Sequence, residues 1–184
     1  SLIDLAYNYF ELPKSERLTN HIEDGRRFLQ KTDQRYDYLF VDTYQSLFSI
    51  PTHFTTQEFF ELSRDRLNDD GIFISNVIGD THESDRSFLL SEMKTFKTVF
   101  DNSYFFDLDN NGPGKINNFV FLGINGDQQL DFDALKNHPN ETLANLSERL
   151  VDYEAFDLSH QIVFTDDYAP IDYLSMQMLN RHDY

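Results

Sequence analysis

The sequence predicts an α/β fold: an open sheet, mostly parallel, closed at its end by an antiparallel hairpin and flanked by helices on both faces. Three observations predict it. Strand-length apolar runs, "YDYLFVD" (36–42) and "GIFISNVIG" (71–79), alternate with segments of helical periodicity. The second run is apolar nearly throughout, the pattern of a strand buried on both faces. Finally "SYFFDL" and "INNFVFLGI" flank "DNNGPGK", in which Gly112, Pro113 and Gly114 suit a hairpin connection.

The elements follow in order. Leu2, Ile3, Leu5, Ala6, Tyr9 and Phe10 fall at helical spacing, and Pro13 ends that helix. "RLTNHIED" predicts a short strand over Leu18 to Ile22. Asp24 then serves as a candidate N-cap for the helix "GRRFLQKT", and the strand "YDYLFVD" comes next. A helix is expected from Thr55 to Asn68, opened by threonine caps and stopped by Asp70-Gly71. "SDRSFLLSEMKTFKTVF" places Phe88, Leu89, Met93, Phe96 and Phe100 on one helical stripe. From about Asp127 the chain is acidic, with a helix expected near Glu141 to Phe156, an extended "QIVFTDD", and a last helix from Pro170 to Asn180. Two units are expected: a sheet-bearing domain over 1–126 and an acidic helical extension over 127–184 that packs on it.

Composition narrows the function. Thirty-two acidic residues against fifteen Lys and Arg give a net charge of −17, which disfavours nucleic acid as a partner and favours cationic ligands. Without cysteine there is no disulfide, thiolate zinc site or cysteine nucleophile. The six histidines show no metal-ligand spacing, so no metal is expected and each reads as a surface or loop residue. No apolar run reaches the roughly 20 residues of a membrane helix, and a cytoplasmic location is expected. Eighteen Phe and ten Tyr, with no Trp, predict an aromatic core. The chain opens already in a helical pattern, which predicts further sequence upstream.

Ligands of open α/β sheets bind at the carboxyl ends of the strands, so acidic residues that follow strands are the candidates. Two qualify, Asp24 and Asp42. A carboxylate beside a glycine can accept a hydrogen bond from an exocyclic amine such as that of adenine, while Gly25 lets backbone approach the ring. An N-cap role explains Asp24 equally well, and the two roles can coexist. Asp42 stands beyond an apolar strand and could orient an amine or take its proton, or simply cap the turn. The long segment after it, with no regular pattern of its own, suits a binding loop. Asp166 and Asp167 in "FTDDYAP" read as caps for the last helix or as lining of the cleft.

Taken together, "DLAYNYF", "EDGRRFL", "YDYLFVD", "FTTQEFFELSRDRLNDDGIFISN" and "FTDDYAPIDYL" resemble the spermidine/spermine synthase family. The resemblance spans about Leu2 to Asn125 and the last 25 residues. It implies a class I methyltransferase-like Rossmann fold with strand order 3-2-1-4-5-7-6, of which this chain lacks the first two strands and the glycine-rich cofactor loop. It implies a cleft for decarboxylated S-adenosylmethionine or S-adenosylmethionine, with Asp24 and Gly25 at the adenine. Asp42 would then position or deprotonate the attacking amine, which needs a free lone pair. Tyr44 and Gln45 would line the amine site. Authentic aminopropyltransferases carry Ser-Ser-Asp-Pro after that aspartate, whereas this chain reads Thr43-Tyr44-Gln45, so Gln45 replaces a second carboxylate. The pattern also fits a methyltransferase or a non-catalytic interaction domain of the same fold. Three ways of completing the sheet are expected: upstream sequence, a partner that supplies the missing strands, or direct pairing of the "LTNHI" strand with "YDYLFVD"; a homodimer that covers the open edge is also expected.

Overall fold

The computed structural model describes residues 2–43, 51–109, 111–112 and 114–182. Helices α1 (Leu2–Tyr9) and α2 (Gly25–Lys31) precede strand β1 (Tyr36–Val41). Helix α3 (Gln57–Asp65), strand β2 (Leu67–Gly79), helix α4 (Phe88–Lys97) and strands β3 (Asn102–Asp107) and β4 (Asn117–Asn125) follow. Beyond the sheet come α5 (Phe132–Lys136), α6 (Glu141–Ala144) and α7 (Ile171–Arg181). No helix among the described residues is long and apolar enough to cross a membrane.

The sheet runs β1-β2-β4-β3. β1 is parallel to β2, and β4 is antiparallel to both β2 and β3. Three strands therefore point one way, so the sheet is mostly parallel in direction, while the two pairings made by β4 are antiparallel. The hairpin expected from "DNNGPGK" is β3–β4.

Side chains alternate across the strands and divide the sheet into two unlike faces. Phe73 and Val77 of β2, with Phe105, Phe119 and Phe121 beside them, face α3 and α4 and are essentially buried. Phe60 stands edge-on to Phe73 at 5.8 Å, Phe96 lies 5.6 Å from both Phe73 and Phe121, and Phe96 and Phe100 stack at 4.8 Å. The stripe read on α4 is this core. On the opposite face α5 sets Phe132 against Tyr104 at 5.8 Å. Near β1 that face is open, and Tyr38 and Phe40 are 69% and 68% exposed.

Helix starts follow their caps. Asp24, Thr56 and Ser87 accept the backbone N–H groups of Arg27, Phe59 and Leu90 at the starts of α2, α3 and α4. α3 ends three residues before Asn68, because β2 already begins at Leu67. Asp70 adopts φ 60 inside the irregular start of that strand rather than stopping a helix.

Two further expectations need correction. Residues 18–22 form no strand, and β1 pairs only with β2 among the described residues, so "LTNHI" does not pair with "YDYLFVD". A short extended segment with no ladder partner has nothing to hold it as a strand. The helix expected over Glu141 to Phe156 is a single turn, α6, followed by two short 3₁₀ turns. Val151 donates its N–H to Phe105 O at 2.8 Å, an edge contact to β3 that needs extended backbone where the helix would have run.

The region from Leu158 to Phe164 is fastened across α4 by polar bonds. Lys94 Nζ donates to Leu158 O (2.9 Å) and Gln161 O (2.6 Å), and Phe164 N–H donates to Thr95 Oγ1 (2.8 Å). Phe164, Ile171 and Leu174 thereby enter the same core cluster as the sheet.

Gly123 shows how tightly that core is filled. A Cβ there would stand 2.5 Å from Phe100 Cγ and 2.8 Å from Phe96 Cζ. Gly123→Ala should therefore destabilise the protein by about 1–3 kcal/mol through overpacking. Thermal denaturation checks this, and an unchanged melting temperature would mean that the two rings do not lie over residue 123.

Candidate functional site

Because β1 and β2 are parallel, their carboxyl ends open on the same edge of the sheet, and each is followed by an aspartate. Asp42 follows β1. It is exposed and, with Thr43, lines a cavity of about 720 Å³. The cavity runs along the outer edge of β1, facing Arg17 and His21, with Gly25, Phe28, Phe54 and Phe59 among its walls. The structure thus brings Gly25 and Asp42 to one cavity. Tyr44 and Gln45 lie outside the described residues.

Asp24 sits beside Gly25 and is engaged at both carboxylate oxygens. Oδ1 accepts the Arg27 N–H at 2.9 Å as the cap of α2, and Oδ2 lies 3.0 Å from His53 Nε2. The Arg27 N–H, with a smaller contribution from His53, holds the Asp24 carboxyl below its ordinary value. Gly25 is not forced by backbone strain. A Cβ there would make ordinary contact with the Phe54 ring at 3.7 Å, without a clash.

His53 and Phe54 were not singled out by sequence reasoning. They form a 3₁₀ turn, Thr52–Phe54, with their rings 4.3 Å apart. Phe54 meets the buried Phe59 edge-on at 5.0 Å. The available signal was their place in the stretch after Asp42 that carries no regular sequence pattern.

Asp166 neither caps the last helix nor lines the cavity, contrary to both readings of "FTDDYAP": α7 has no side-chain cap. It takes the Arg26 guanidinium in a two-pronged pair, Nη1 to Oδ1 at 2.7 Å and Nη2 to Oδ2 at 2.5 Å. Thr56 Oγ1 also donates to Oδ1 at 2.8 Å. Arg26 holds the Asp166 carboxyl below the usual carboxylate range.

The second strand-end aspartate, Asp80, was also missed, although it follows "GIFISNVIG" as directly as Asp42 follows its strand. Its side chain is 1% exposed and carries Arg181 Nη2 at 3.1 Å from each oxygen and His182 Nε2 at 2.9 Å. This carboxylate is committed to anchoring the end of α7. Among the described residues no group of three or more His, Asp or Glu side chains is arranged to hold a metal ion.

The spermine/spermidine synthase domain matches this chain over residues 2–108. The chain belongs to that family. It is 30% identical over 128 residues to the polyamine aminopropyltransferase of Thermococcus kodakarensis, covering 68% of this chain and 40% of that protein. It is 36% identical over 76 residues to a probable polyamine aminopropyl transferase of Bifidobacterium longum, covering 41% of this chain and 16% of that protein. The chain thus spans less than half the length of these relatives. Among solved structures, a probable spermidine synthase from Corynebacterium glutamicum superposes with TM-score 0.59 at 19% identity, over 78% of this chain and 49% of that one. Human methyltransferase-like protein 13, in complex with SAH, gives TM-score 0.57 at 22% identity, over 94% and 73%. The structural likenesses establish a class I methyltransferase-like fold.

The site carries a pH dependence. Asp24 and Asp166 both have depressed folded-state values, so each adds stability above the unfolded carboxylate value of about 3.9 and loses it as pH falls through the lower folded value. Asp166→Asn should therefore flatten the acid limb of a plot of melting temperature against pH below about pH 4. A limb as steep as the wild type's would mean that the Arg26–Asp166 pair adds no pH-dependent stability.

Proposed function

We propose that this chain carries the acceptor side of an aminopropyltransferase cleft, with decarboxylated S-adenosylmethionine as donor and a small amine as acceptor. One observation carries the reading: a single cavity is lined by both Gly25, the neighbour of Asp24, and Asp42 at the carboxyl end of β1. Membership of the spermine/spermidine synthase family and the named aminopropyltransferases among its relatives support it.

In this reading Asp24 accepts a hydrogen bond from the adenine amine and Gly25 leaves room for the ring. Asp42 orients the acceptor and takes its proton. The amine lone pair attacks the propyl carbon next to the sulfonium, the C–N bond forms as the C–S bond breaks, and the sulfur keeps the bonding pair. Neutral methylthioadenosine leaves, and the proton released from nitrogen passes to the Asp42 carboxylate or to water. A second reading is methyl transfer from S-adenosylmethionine. It is favoured by Gln45, which lacks the negative charge that a polycationic acceptor would use.

Calorimetric titration of methylthioadenosine, decarboxylated S-adenosylmethionine and S-adenosylmethionine separates the two readings. It is done on this chain and on a form extended upstream by a glycine-rich loop. Aminopropyl transfer predicts tighter binding of the decarboxylated donor, and a preference for S-adenosylmethionine favours methyl transfer. Binding of none of the three by either form removes both readings and leaves an interaction domain. In whichever form transfers, Asp42→Asn should lower the aminopropyl transfer rate by a factor on the order of 100. An unchanged rate takes Asp42 out of the mechanism.

A further inference from the structure

We propose that Asp166, more than a hundred residues away in sequence, is a positioning residue for the adenosine end of the cleft, acting through Arg26 and His53 on Asp24. The inference rests on the reading above for its ligand but not for its geometry. The links are continuous. Asp166 holds both terminal nitrogens of Arg26, and Arg26 Nη1 also donates to the backbone carbonyl of His53 at 3.0 Å. The His53 ring in turn reaches Asp24 Oδ2 at 3.0 Å.

Each link restricts the next. The Arg26 side chain is 12% exposed, and its planar fork fits a carboxylate in one orientation only. That orientation sets where its remaining donor can meet the His53 carbonyl. His53 is then held by its carbonyl and by its Phe54 neighbour, which leans on the core through Phe59. The Arg27 N–H and the His53 ring each meet one oxygen of Asp24, and a carboxylate with roughly four acceptor positions has room for an exocyclic amine as well. A purely structural pair could sit anywhere on the surface. This one is wired to the carboxylate beside Gly25 at the cavity wall.

The test compares Asp166→Asn with Asp167→Asn, a change of the same charge at the adjacent exposed residue. Long-range proton–nitrogen NMR of the histidine rings reports whether His53 Nε2 still meets a carboxylate, and Asp24→Asn supplies the signal for a lost partner. We expect Asp166→Asn to move the His53 resonance toward the Asp24→Asn position and Asp167→Asn to leave it in place, with circular dichroism unchanged. Should Asp166→Asn fail to fold, Arg26→Lys keeps the charge without the fork and should give the same shift. A His53 resonance that stays at its wild-type position in the folded variant overturns the inference.

The second arm titrates methylthioadenosine into whichever form binds it. Affinity should fall on the order of tenfold in Asp166→Asn, the loss expected when a hydrogen bond to a charged group is misplaced, and stay unchanged in Asp167→Asn. Equal affinities in wild type and Asp166→Asn overturn the positioning role. If no form binds methylthioadenosine, the adenosine reading fails, while the NMR arm still decides whether Asp166 governs His53.

Discussion

Phe96 and Phe100 lie over the one position of β4 that has no side chain, and much of the molecule is placed by that contact. Gly123 leaves the gap, the two rings stack in it, and α4 is thereby fixed against the sheet. With α4 fixed, Lys94 and Thr95 determine where residues 158–164 cross it. That crossing brings Asp166 to Arg26, at the start of α2 and next to the cavity. The core and the candidate site therefore form one mechanical chain, in which a non-directional aromatic contact sets the position of a directional ion pair.

What the sequence revealed depended on the range of the interaction. Helical periodicity and caps act within four residues, so α2, α3, α4 and the capping role of Asp24 were readable. Strand hydrophobicity reports burial, so β2 and the hairpin were readable; β1 showed the same apolar pattern although Tyr38 and Phe40 are exposed. Residues 18–22 and 141–156 carried the right local pattern without the right contacts: the first face β1 across the cavity without pairing with it, and the second met the edge of β3. Local propensity is a weak prior wherever a tertiary hydrogen bond competes for the same backbone.

The same distinction separates the site residues. Asp24 and Asp42 could be read from their place after expected strands or before helices, although the segment ahead of Asp24 proved not to be a strand. His53 with Asp24, and Arg26 with Asp166, are contacts across 29 and 140 residues, and no periodicity encodes them. Asp80 could have been read by the rule that selected Asp42. Position alone would then have given two equal candidates, and burial separates them. A carboxylate enclosed by Arg181 and His182 has its lone pairs and its charge already committed.

In the proposed reading, electrostatics favours Asp42 as the place where an amine is held. A chain with net charge −17 attracts any cation, so attraction alone selects no position on its surface. Selection needs a carboxylate that is reachable, lies in a cavity with apolar walls, and is not already neutralised. Asp80 is not reachable, Asp166 is paired with Arg26, and Asp24 already caps α2. Asp42 lines the cavity from an exposed position beside aromatic walls, where an incoming ammonium can exchange part of its hydration for a charge-assisted hydrogen bond. A single carboxylate can anchor one nitrogen. In the proposed reading, one carboxylate suits a short amine as acceptor better than a long polycation gripped at both ends.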